Sequence, residues 1–381
     1  MIPESYEGRE QAYIKHTLLE KYLERLFMIL GKNEDTICYV DCFAGPWQED
    51  GDDLQDTSIA ISLNTMKKCR DGLLKTYNKN VHFRALFIEK NKNAYEKLHA
   101  FLDTEAASGI ETTAMNGVFS DLRGDILKWC GKTDFTFFFI DPTGWKNVVE
   151  IPTLKPLLQR PRSEFLINFM FDFILRTHTQ IEFSKHMQEI FGEVPDTAGM
   201  SSKERETHLI DLYRTHLKNA QPNTGLKARS AYVKVLDTLK DRTKYDLVYL
   251  TRHPKGIQVF MDASEKLDFI QKRVRAHAKE AHHVSKTKQP KLLSTEMINE
   301  PSDEDLNEVK KYWLNKLSDQ PKRFGIEELA DMLEETAWFE SDFQAALKEL
   351  VAENKVINID MKRKRPKNIV NFDNIERLVR V

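Results

Sequence analysis

Acidic residues stand at the ends of three apolar segments of the sequence. Asp41 follows TICYV, Glu89 follows VHFRALFI, and Asp141 follows FTFFFI. In an open sheet of parallel strands, ligands bind in the crevice at the carboxyl ends of the strands, near the switch in strand order. The turn after Asp41, CFAGP, also holds small residues that let a backbone approach a ligand closely. If the three segments are neighbouring strands, the acids would line one binding crevice.

The elements around these acids predict such a sheet. Residues 10–30 have the apolar spacing of a helix, and TICYVDCFAG reads as a buried strand and its exit. Further strands are predicted at 81–88, 110–115, 135–140 and 163–173, with helices at 58–66, 72–77, 93–101, 121–129 and 154–158. This alternation predicts an α/β, Rossmann-like parallel sheet that is covered on both faces.

The alternation stops after the last of these strands. Residues 176–230 are polar and rich in helical patterns, which predicts a helical insertion. Strand patterns resume at 232–236, 245–251 and 257–261, with HPKG at 253–256 as the turn of a hairpin. We therefore expect an antiparallel pair to close a mostly parallel sheet.

The C-terminal residues predict a winged helix-turn-helix domain. Helical patterns in DEDLNEVKKYWLNKL, FGIEELADMLEET and ESDFQAALKELVAENK, the last with Ser341 as N-cap, precede the short strands VINID and IVNFD. In this fold the third helix enters a major groove and the wing touches the backbone. The predicted phosphate contacts are the basic residues of the MKRKRPKN wing: Lys362, Arg363, Lys364, Arg365 and Lys367. A winged helix used only for protein contact is the alternative.

Composition places these elements in an ordinary globular chain. Hydrophobic residues make up 41% and charged residues 30% of the 381 residues, which excludes collagen-like and wholly disordered classes. The net charge of -2 gives no global sign of a nucleic-acid partner, but residues 271–291 form a basic helix running into a linker. The predicted domains are 1–270, 271–300 and 301–381.

Location and metal content are predicted from other signals. Four cysteines in a chain of this length cannot form a secreted disulfide framework, so we expect reduced thiols in the cytoplasm. The N-terminal residues have no secretory pattern, and no apolar run reaches the ~20 residues that span a bilayer. No cysteine or histidine group has the spacing of a metal site, so no metal is predicted.

The order of the three strand ends resembles that of a class I S-adenosylmethionine-dependent methyltransferase. The chain as a whole resembles the three-Cys-motif partner protein family over roughly residues 10–260. The residues that carry this resemblance are Lys15-His16-x-x-Leu19-x-x-Tyr22-Leu23, Tyr39-Val40-Asp41-x-Phe43-Ala44-Gly45-Pro46, Phe87-Ile88-Glu89, Phe138-Phe139-Ile140-Asp141-Pro142-x-Gly144 and Thr251-x-His253-Pro254-Lys255-Gly256. It implies a companion protein that bears the three-cysteine motif.

The resemblance also implies a cofactor site for S-adenosylmethionine. The first turn would lie under the methionine part, Glu89 would bond the ribose hydroxyls, and Asn116 or Asp121 would contact the adenine. Lys15 and His16 would face the cleft, although the residue pattern alone favours solvated side chains. The predicted cofactor contacts are Lys15, His16, Asp41, Phe43, Gly45, Pro46, Glu89, Asn116 and Asp121.

The Asp-Pro turn suits methylation of an amino group on a base. A ring-conjugated amine is a poor nucleophile, and the Asp141 carboxylate and the Pro142 carbonyl can hold its hydrogens so that its lone pair faces the methyl group. Trp145 would stack on the base, or else is a core residue. The sequence thus predicts a nucleic-acid methyltransferase, acting on DNA rather than RNA. The alternative is a catalytically degenerate relative that binds nucleic acid for a partner enzyme.

Overall fold

The computed structural model describes residues 6, 9–45, 57–105, 108–142, 144, 147–170, 174, 180–287, 303–336, 338–362 and 368–381, without the side chains of 181, 281–287 and 303–305. It divides into two compact units, which we call the sheet unit (Met1–Arg252) and the winged-helix unit (His253–Val381). Among the described residues, no helix is both long and apolar enough to cross a bilayer.

The sheet unit alternates strands with helices as the sequence predicts. Its elements are α1 (Glu10–Leu30), β1 (Thr36–Asp41), α2 (Ser58–Tyr77), β2 (His82–Glu89), α3 (Lys92–Thr104), β3 (Glu111–Asn116), α4 (Phe119–Cys130), β4 (Phe135–Ile140), α5 (Ile151–Leu158), β5 (Ser163–Phe169), α6 (Ser184–Phe191), α7 (Ser202–Asn219), β6 (Arg229–Leu236) and β7 (Thr243–Thr251).

The seven strands form one sheet in the order β3-β2-β1-β4-β5-β7-β6. The first five run parallel, and β7 is antiparallel to both β5 and β6. Strand order reverses between β1 and β4, which opens the crevice at their carboxyl ends. This is the class I methyltransferase sheet, with α6 and α7 as the helical insertion, and it confirms the predicted fold class.

The central strands are buried on both faces, which is why they read as continuous apolar runs. Every residue of β4 and of β5 is buried. On one face, Tyr22 of α1 packs on Phe137 with ring centroids 5.6 Å apart. On the other face, Phe138 stacks on Phe165 at 5.0 Å within a core that includes α4, α5, α6 and α7. The ends of these strands are therefore held rigidly.

A buried polar network ties α1 to the sheet. The Tyr22 hydroxyl donates to Glu164 Oε2 at 2.8 Å, and the Thr251 hydroxyl donates to Glu164 Oε1 at 2.7 Å. The Tyr22 and Tyr249 hydroxyl oxygens lie 2.7 Å apart, within hydrogen-bonding distance. Burying a carboxylate is costly unless it is hydrogen-bonded, and here both of its oxygens are satisfied. Two residues of the sequence motifs, Tyr22 and Thr251, therefore act in the framework that fixes α1.

The winged-helix unit has the predicted fold. Its elements are α8 (Pro254–Thr287), α9 (Asp303–Lys316), β8 (Lys322–Phe324), α10 (Ile326–Glu335), α11 (Glu340–Ala352), β9 (Val356–Asn358) and β10 (Glu376–Arg380). The small sheet has the order β8-β10-β9, and α10 and α11 form the helix-turn-helix pair. Within the unit, α8 packs on α10.

The predicted strand at 257–261 is wrong, because these residues lie in α8. Ile257, Phe260 and Met261 are buried at three- and four-residue spacing along the helix, and Pro254 occupies its first position. The HPKG segment therefore begins a helix, and the antiparallel hairpin is formed by β6 and β7. The predicted domain boundary at residue 270 and the basic segment from 271 to 287 both fall within this helix.

Three smaller predictions also differ from the structure. The two helices at 58–66 and 72–77 form one helix, α2. IVNFD is not a strand: Gln344 Oε1 accepts from the backbone nitrogens of Ile369 at 2.8 Å and Val370 at 3.2 Å, so the strand that pairs is β10. Ser341 is not the N-cap of α11, because the helix begins at Glu340.

Candidate functional site

Asp41 is buried at the bottom of the crevice. It ends β1, and its side chain is fully buried. The Ser58 hydroxyl donates to Oδ2 at 2.7 Å, and the Phe43 backbone nitrogen donates to Oδ1 at 3.0 Å. Burial raises the pKa of Asp41 to about 6, against the two hydrogen bonds that lower it. Asp41 thus ties the turn after β1 to the start of α2.

Glu89 and Gly45 pack against each other beside Asp41. Glu89 ends β2 and is 7% exposed, and its Oε1 accepts from the Asn91 backbone nitrogen at 2.6 Å. A Cβ placed on Gly45 would lie 1.9 Å from Glu89 Oε2, so any side chain there would require the Glu89 carboxylate to move. The Ala44 backbone nitrogen donates to the Ile88 carbonyl at 2.8 Å, which fixes this approach.

The end of β3 completes this part of the crevice. The Asn116 amide donates to the Glu89 carbonyl at 2.8 Å, and the Gly117 backbone nitrogen donates to the same carbonyl at 3.1 Å. Val118, just before α4, is 52% exposed. Asp121 is exposed in the first turn of α4, where its Oδ1 accepts from the Ser120 hydroxyl at 3.2 Å. We call Asp41, Gly45, Glu89 and Asn116 the Glu89 cluster.

Asp141 joins side chains from three elements at the end of β4. Lys15 of α1 forms an ion pair with Asp141 Oδ2. The Asn168 amide nitrogen, from β5, donates to Asp141 Oδ1 at 2.7 Å. Asn168 Oδ1 is buried and has no hydrogen-bond partner in the described structure. We call Lys15, Asp141 and Asn168 the Asp141 cluster.

The two clusters interact electrostatically. The charge of Asp141 raises the pKa of Asp41, and the charge of Lys15 lowers it. Sequence reasoning found Lys15, Asp41 and Asp141 but missed Asn168. The signal for Asn168 is its amide in the otherwise apolar run of β5, where all seven residues are buried.

His16 is buried, in contrast to the solvated side chain that its helix pattern favours. It is 8% exposed, and its Nδ1 lies 3.0 Å from the Tyr6 hydroxyl. Burial, with the Lys15 charge, lowers the pKa of His16 to about 3, so the ring is neutral at neutral pH. His16 lines a cavity of about 320 Å³ bordered by Thr17 and Thr65 of α1 and α2. It therefore lies next to the Asp141 cluster in sequence but faces a different space.

Some predicted site residues lie outside the described residues. They are Pro46, Trp145, Arg363, Lys364, Arg365 and Lys367. Phe43 packs on Phe119 with ring centroids 5.2 Å apart, Pro142 is buried, and Lys362 is exposed. Phe43 thus holds the turn after β1 in place by two contacts: its ring packs on Phe119, and its backbone nitrogen donates to Asp41.

One group of potential metal ligands occurs among the described residues. Oxygen and nitrogen atoms of Glu150, His186 and Glu189 lie within 4.8 Å of one another. His186 Nδ1 is 3.0 Å from Glu150 Oε1, and the same oxygen accepts from the Asn147 backbone nitrogen at 2.8 Å. These hydrogen bonds explain the grouping as an anchor between α6 and the loop before α5.

One family model matches the C-terminal part of the chain. The family model described as "GMT-like wHTH domain" matches residues 285–363. A search of curated proteins gave no significant match.

Two solved methyltransferase structures match this chain at low scores. An O-methyltransferase from Bacillus cereus in complex with SAH has 12% identity and a TM-score of 0.34, with 61% of this chain and 80% of that chain covered. A loganic acid methyltransferase with SAH has 11% identity and a TM-score of 0.26, with 89% and 88% covered. The assignment of the fold therefore rests on strand order and direction.

Proposed function

We propose that the protein is an S-adenosylmethionine-dependent methyltransferase that modifies an amino group of a nucleic-acid base, with DNA favoured over RNA. The observation that carries this proposal is the pairing of two clusters at the carboxyl edge of one methyltransferase-type sheet. The Glu89 cluster suits a nucleoside cofactor, and the Asp141 cluster suits an amine. A partner protein with a three-cysteine motif is proposed from the sequence resemblance alone.

The Glu89 cluster fits S-adenosylmethionine by the chemistry of its donors and acceptors. Glu89 uses Oε1 for one backbone hydrogen bond, and a carboxylate can accept about four, so it retains capacity for two ribose hydroxyls. Gly45 keeps the adjacent backbone free of a side chain, and exposed Val118 offers an apolar surface for the adenine. When bound, the cofactor would supply the methyl group that is attached to its sulfonium sulfur.

The Asp141 cluster can orient an amine through two acceptors. Each Asp141 oxygen is used once, by Lys15 or by Asn168, and each has a further lone pair for a substrate hydrogen. Asn168 Oδ1 provides a second acceptor, since it is buried without a hydrogen-bond partner in the described structure. Asp141 and Asn168 would thus hold one amine hydrogen each, with Asn168 Oδ1 serving in place of the predicted Pro142 carbonyl. The amine lone pair would then face the methyl group.

Lys15 has a positioning role in this arrangement. Its ammonium neutralises Asp141, so the carboxylate is held in one orientation without leaving an unpaired charge in a site that is about one-sixth exposed. The α1 helix that carries Lys15 is fixed by the Tyr22–Glu164 hydrogen bond. The base itself would be taken out of its helix, with Trp145 proposed as the stacking residue.

Calorimetry and a transfer assay test this proposal. We expect the full chain to bind S-adenosylmethionine, and to transfer tritiated methyl groups to duplex or single-stranded DNA more than to RNA of the same sequence. The Glu89→Ala variant should lose cofactor binding, because the proposed ribose acceptor is removed. Absence of cofactor binding by the wild type would overturn the enzyme hypothesis.

A non-catalytic nucleic-acid adaptor is the second candidate. It is favoured by the Asp141 contacts, since the carboxylate is already paired with Lys15 and Asn168 and can act as a purely structural link. The adaptor would bind nucleic acid with a steep salt dependence but would not bind S-adenosylmethionine. The same calorimetric titration therefore separates the two candidates.

A further inference from the structure

The helix-turn-helix pair of the winged-helix unit is strongly acidic. The α10 sequence IEELADMLEE has five acidic residues and no basic residue. The α11 sequence ESDFQAALKELVA has three acidic residues and one basic residue, Lys348. A helix in the major groove lies between two rows of phosphates, and nucleic-acid affinity depends on neutralising them with Lys and Arg. This pair would instead be repelled by a duplex.

The first turn of α11 is also engaged within the unit. The Gln258 amide, from α8, donates to Glu340 Oε2 at 2.6 Å. The Ser341 hydroxyl donates to Glu265 Oε1 at 2.5 Å, and Glu265 also belongs to α8. Recognition helices read base edges with their N-terminal residues. In this unit those residues contact α8, so α11 is unsuited to base reading on two independent grounds.

Basic residues gather on another surface, the outer face of the small sheet. Arg323 of β8 and Arg377 of β10 lie directly opposite each other in the strand register. Like charges in this position destabilise a sheet. Asp360 accepts from Arg377 Nη2 at 2.7 Å and from Nε at 3.0 Å, and the charge of Arg323 also acts on it. These contacts lower the pKa of Asp360 to about 2. The Asp360 carboxylate is therefore hydrogen-bonded to Arg377 and attracted electrostatically by Arg323.

This surface is concave and extends to Lys362. Arg323, Lys362 and Arg377 line an open cavity of about 1000 Å³, together with Asp360, Asn374, Ile375 and Glu376. Glu376 is buried and accepts from the Asn358 amide at 2.9 Å, so its charge is directed into the unit. Lys362 begins the basic wing sequence KRKRPK. The cavity thus has an excess of positive charge, which a row of phosphates would balance.

We infer that the winged-helix unit binds the phosphate backbone of nucleic acid through the outer face of β8 and β10, with Arg323, Arg377 and Lys362 as contacts, and that α11 does not read bases. This inference rests on the proposed nucleic-acid substrate and specifies how it is held. Because phosphates carry no base identity, binding through this face is independent of sequence. Selection of the target base is then left to the sheet unit.

Fluorescence anisotropy of the full chain with labelled duplexes of two unrelated sequences tests the inference. The Arg323→Gln variant should weaken binding to both duplexes by about five- to tenfold and reduce the slope of log affinity against log salt by about 1. Lys348→Gln is the matched control, because it removes one exposed positive charge from α11 of the same unit. We expect it to change affinity less than twofold.

The outcomes separate this inference from the proposed function. If wild-type protein binds DNA but Arg323→Gln is unchanged, or Lys348→Gln is weakened as much, the sheet-face inference is overturned and the nucleic-acid substrate stands. If wild-type protein binds cofactor but no DNA or RNA, the nucleic-acid substrate is overturned, and this inference with it. Arg377→Lys, which keeps the charge, should retain most of the affinity, and thermal unfolding of each variant checks that the unit remains folded.

Discussion

The Asn168 amide nitrogen donates to Asp141 Oδ1 at 2.7 Å, which joins the ends of two adjacent parallel strands through their side chains. The hydrogen bond fixes the orientation of the Asn168 amide, because only its NH₂ group can donate to a carboxylate. The amide oxygen must then point away from Asp141. This relationship is what makes Asn168 an acceptor in the proposed reaction, and not a second donor.

Replacement of Asn168 by Ala should reduce methyl transfer with little effect on cofactor binding. The change removes one amine acceptor and frees the Asp141 carboxylate to rotate, and we expect a loss in kcat of about 100-fold. The calorimetric Kd for S-adenosylmethionine should change less than threefold. Asn116→Ala, in the Glu89 cluster, is the matched control and should weaken cofactor binding instead. Equal effects of both variants on cofactor binding would remove Asn168 from the acceptor role.

The Asp141→Ala variant should abolish detectable transfer while it leaves cofactor affinity nearly unchanged. The carboxylate is the central acceptor of the proposed amine and the partner of Lys15, so its loss removes orientation and leaves a lysine charge unpaired. Single-turnover transfer and calorimetry measure the two effects separately. If transfer and cofactor affinity fall together, Asp141 belongs to the cofactor site.

Replacement of Gly45 by Ala should weaken cofactor binding by about 10-fold or more. The added Cβ would lie 1.9 Å from Glu89 Oε2, so the carboxylate must move away from its position over the turn. Such displacement costs the hydrogen bonds proposed for the ribose, at about 1.4 kcal/mol for each factor of ten. Gly124→Ala is the control, because no heavy atom lies within 4 Å of the added Cβ there. An unchanged Kd for Gly45→Ala would argue against this turn as the cofactor site.

The Asp41→Asn variant should become more stable than the wild type as pH rises. Burial raises the folded-state pKa of Asp41 to about 6, above the unfolded value of about 3.9. The folded state then binds more protons than the unfolded state between these values, so Asp41 lowers the stability of the wild type as pH rises through this window. Asn carries no charge and can keep the bond from Phe43.

Denaturant unfolding at about pH 4 and about pH 7.5 measures this effect. The free energy of unfolding of Asp41→Asn relative to the wild type should increase by up to about 3 kcal/mol between the two conditions. Ser58→Ala is a useful comparison, because it removes a bond to the charged carboxylate and should destabilise the protein more at the higher pH. A difference that is the same at both pH values would contradict the raised pKa.

The sheet was predictable from the sequence because its strands are short apolar runs that end at acids or turns. Asp41, Glu89 and Asp141 each end their strand, or follow it directly, as expected. Residues 257–261 predict a strand because IQVFM fits a strand over five residues, whereas the helical period shows only over the longer α8. Short windows cannot separate these two periods.

The contacts of the site were less accessible to sequence reasoning than its elements. Lys15 and Asp141 are 126 positions apart, so no local sequence pattern predicts their ion pair. His16 shares the polar character of Lys15 but is buried beside Tyr6, because one residue along a helix turns a side chain by about 100°. In the winged-helix unit, the basic residues of the wing predict phosphate contact. The acidic residues of α10 and α11 matter as much, because they would repel the phosphates of a duplex placed against these helices.

The two clusters come from stretches of chain that are completed at different times during synthesis. Residues 36–117 contain every member of the Glu89 cluster, whereas the Asp141 cluster requires residues 15, 141 and 168. The strand next to β5 is β7, which ends only at Thr251. Because a ribosome adds residues from the N-terminus onward, the Glu89 cluster is available to fold first. A nascent chain that has reached residue 130 therefore has the groups proposed to hold the cofactor and lacks those proposed to direct the methyl group.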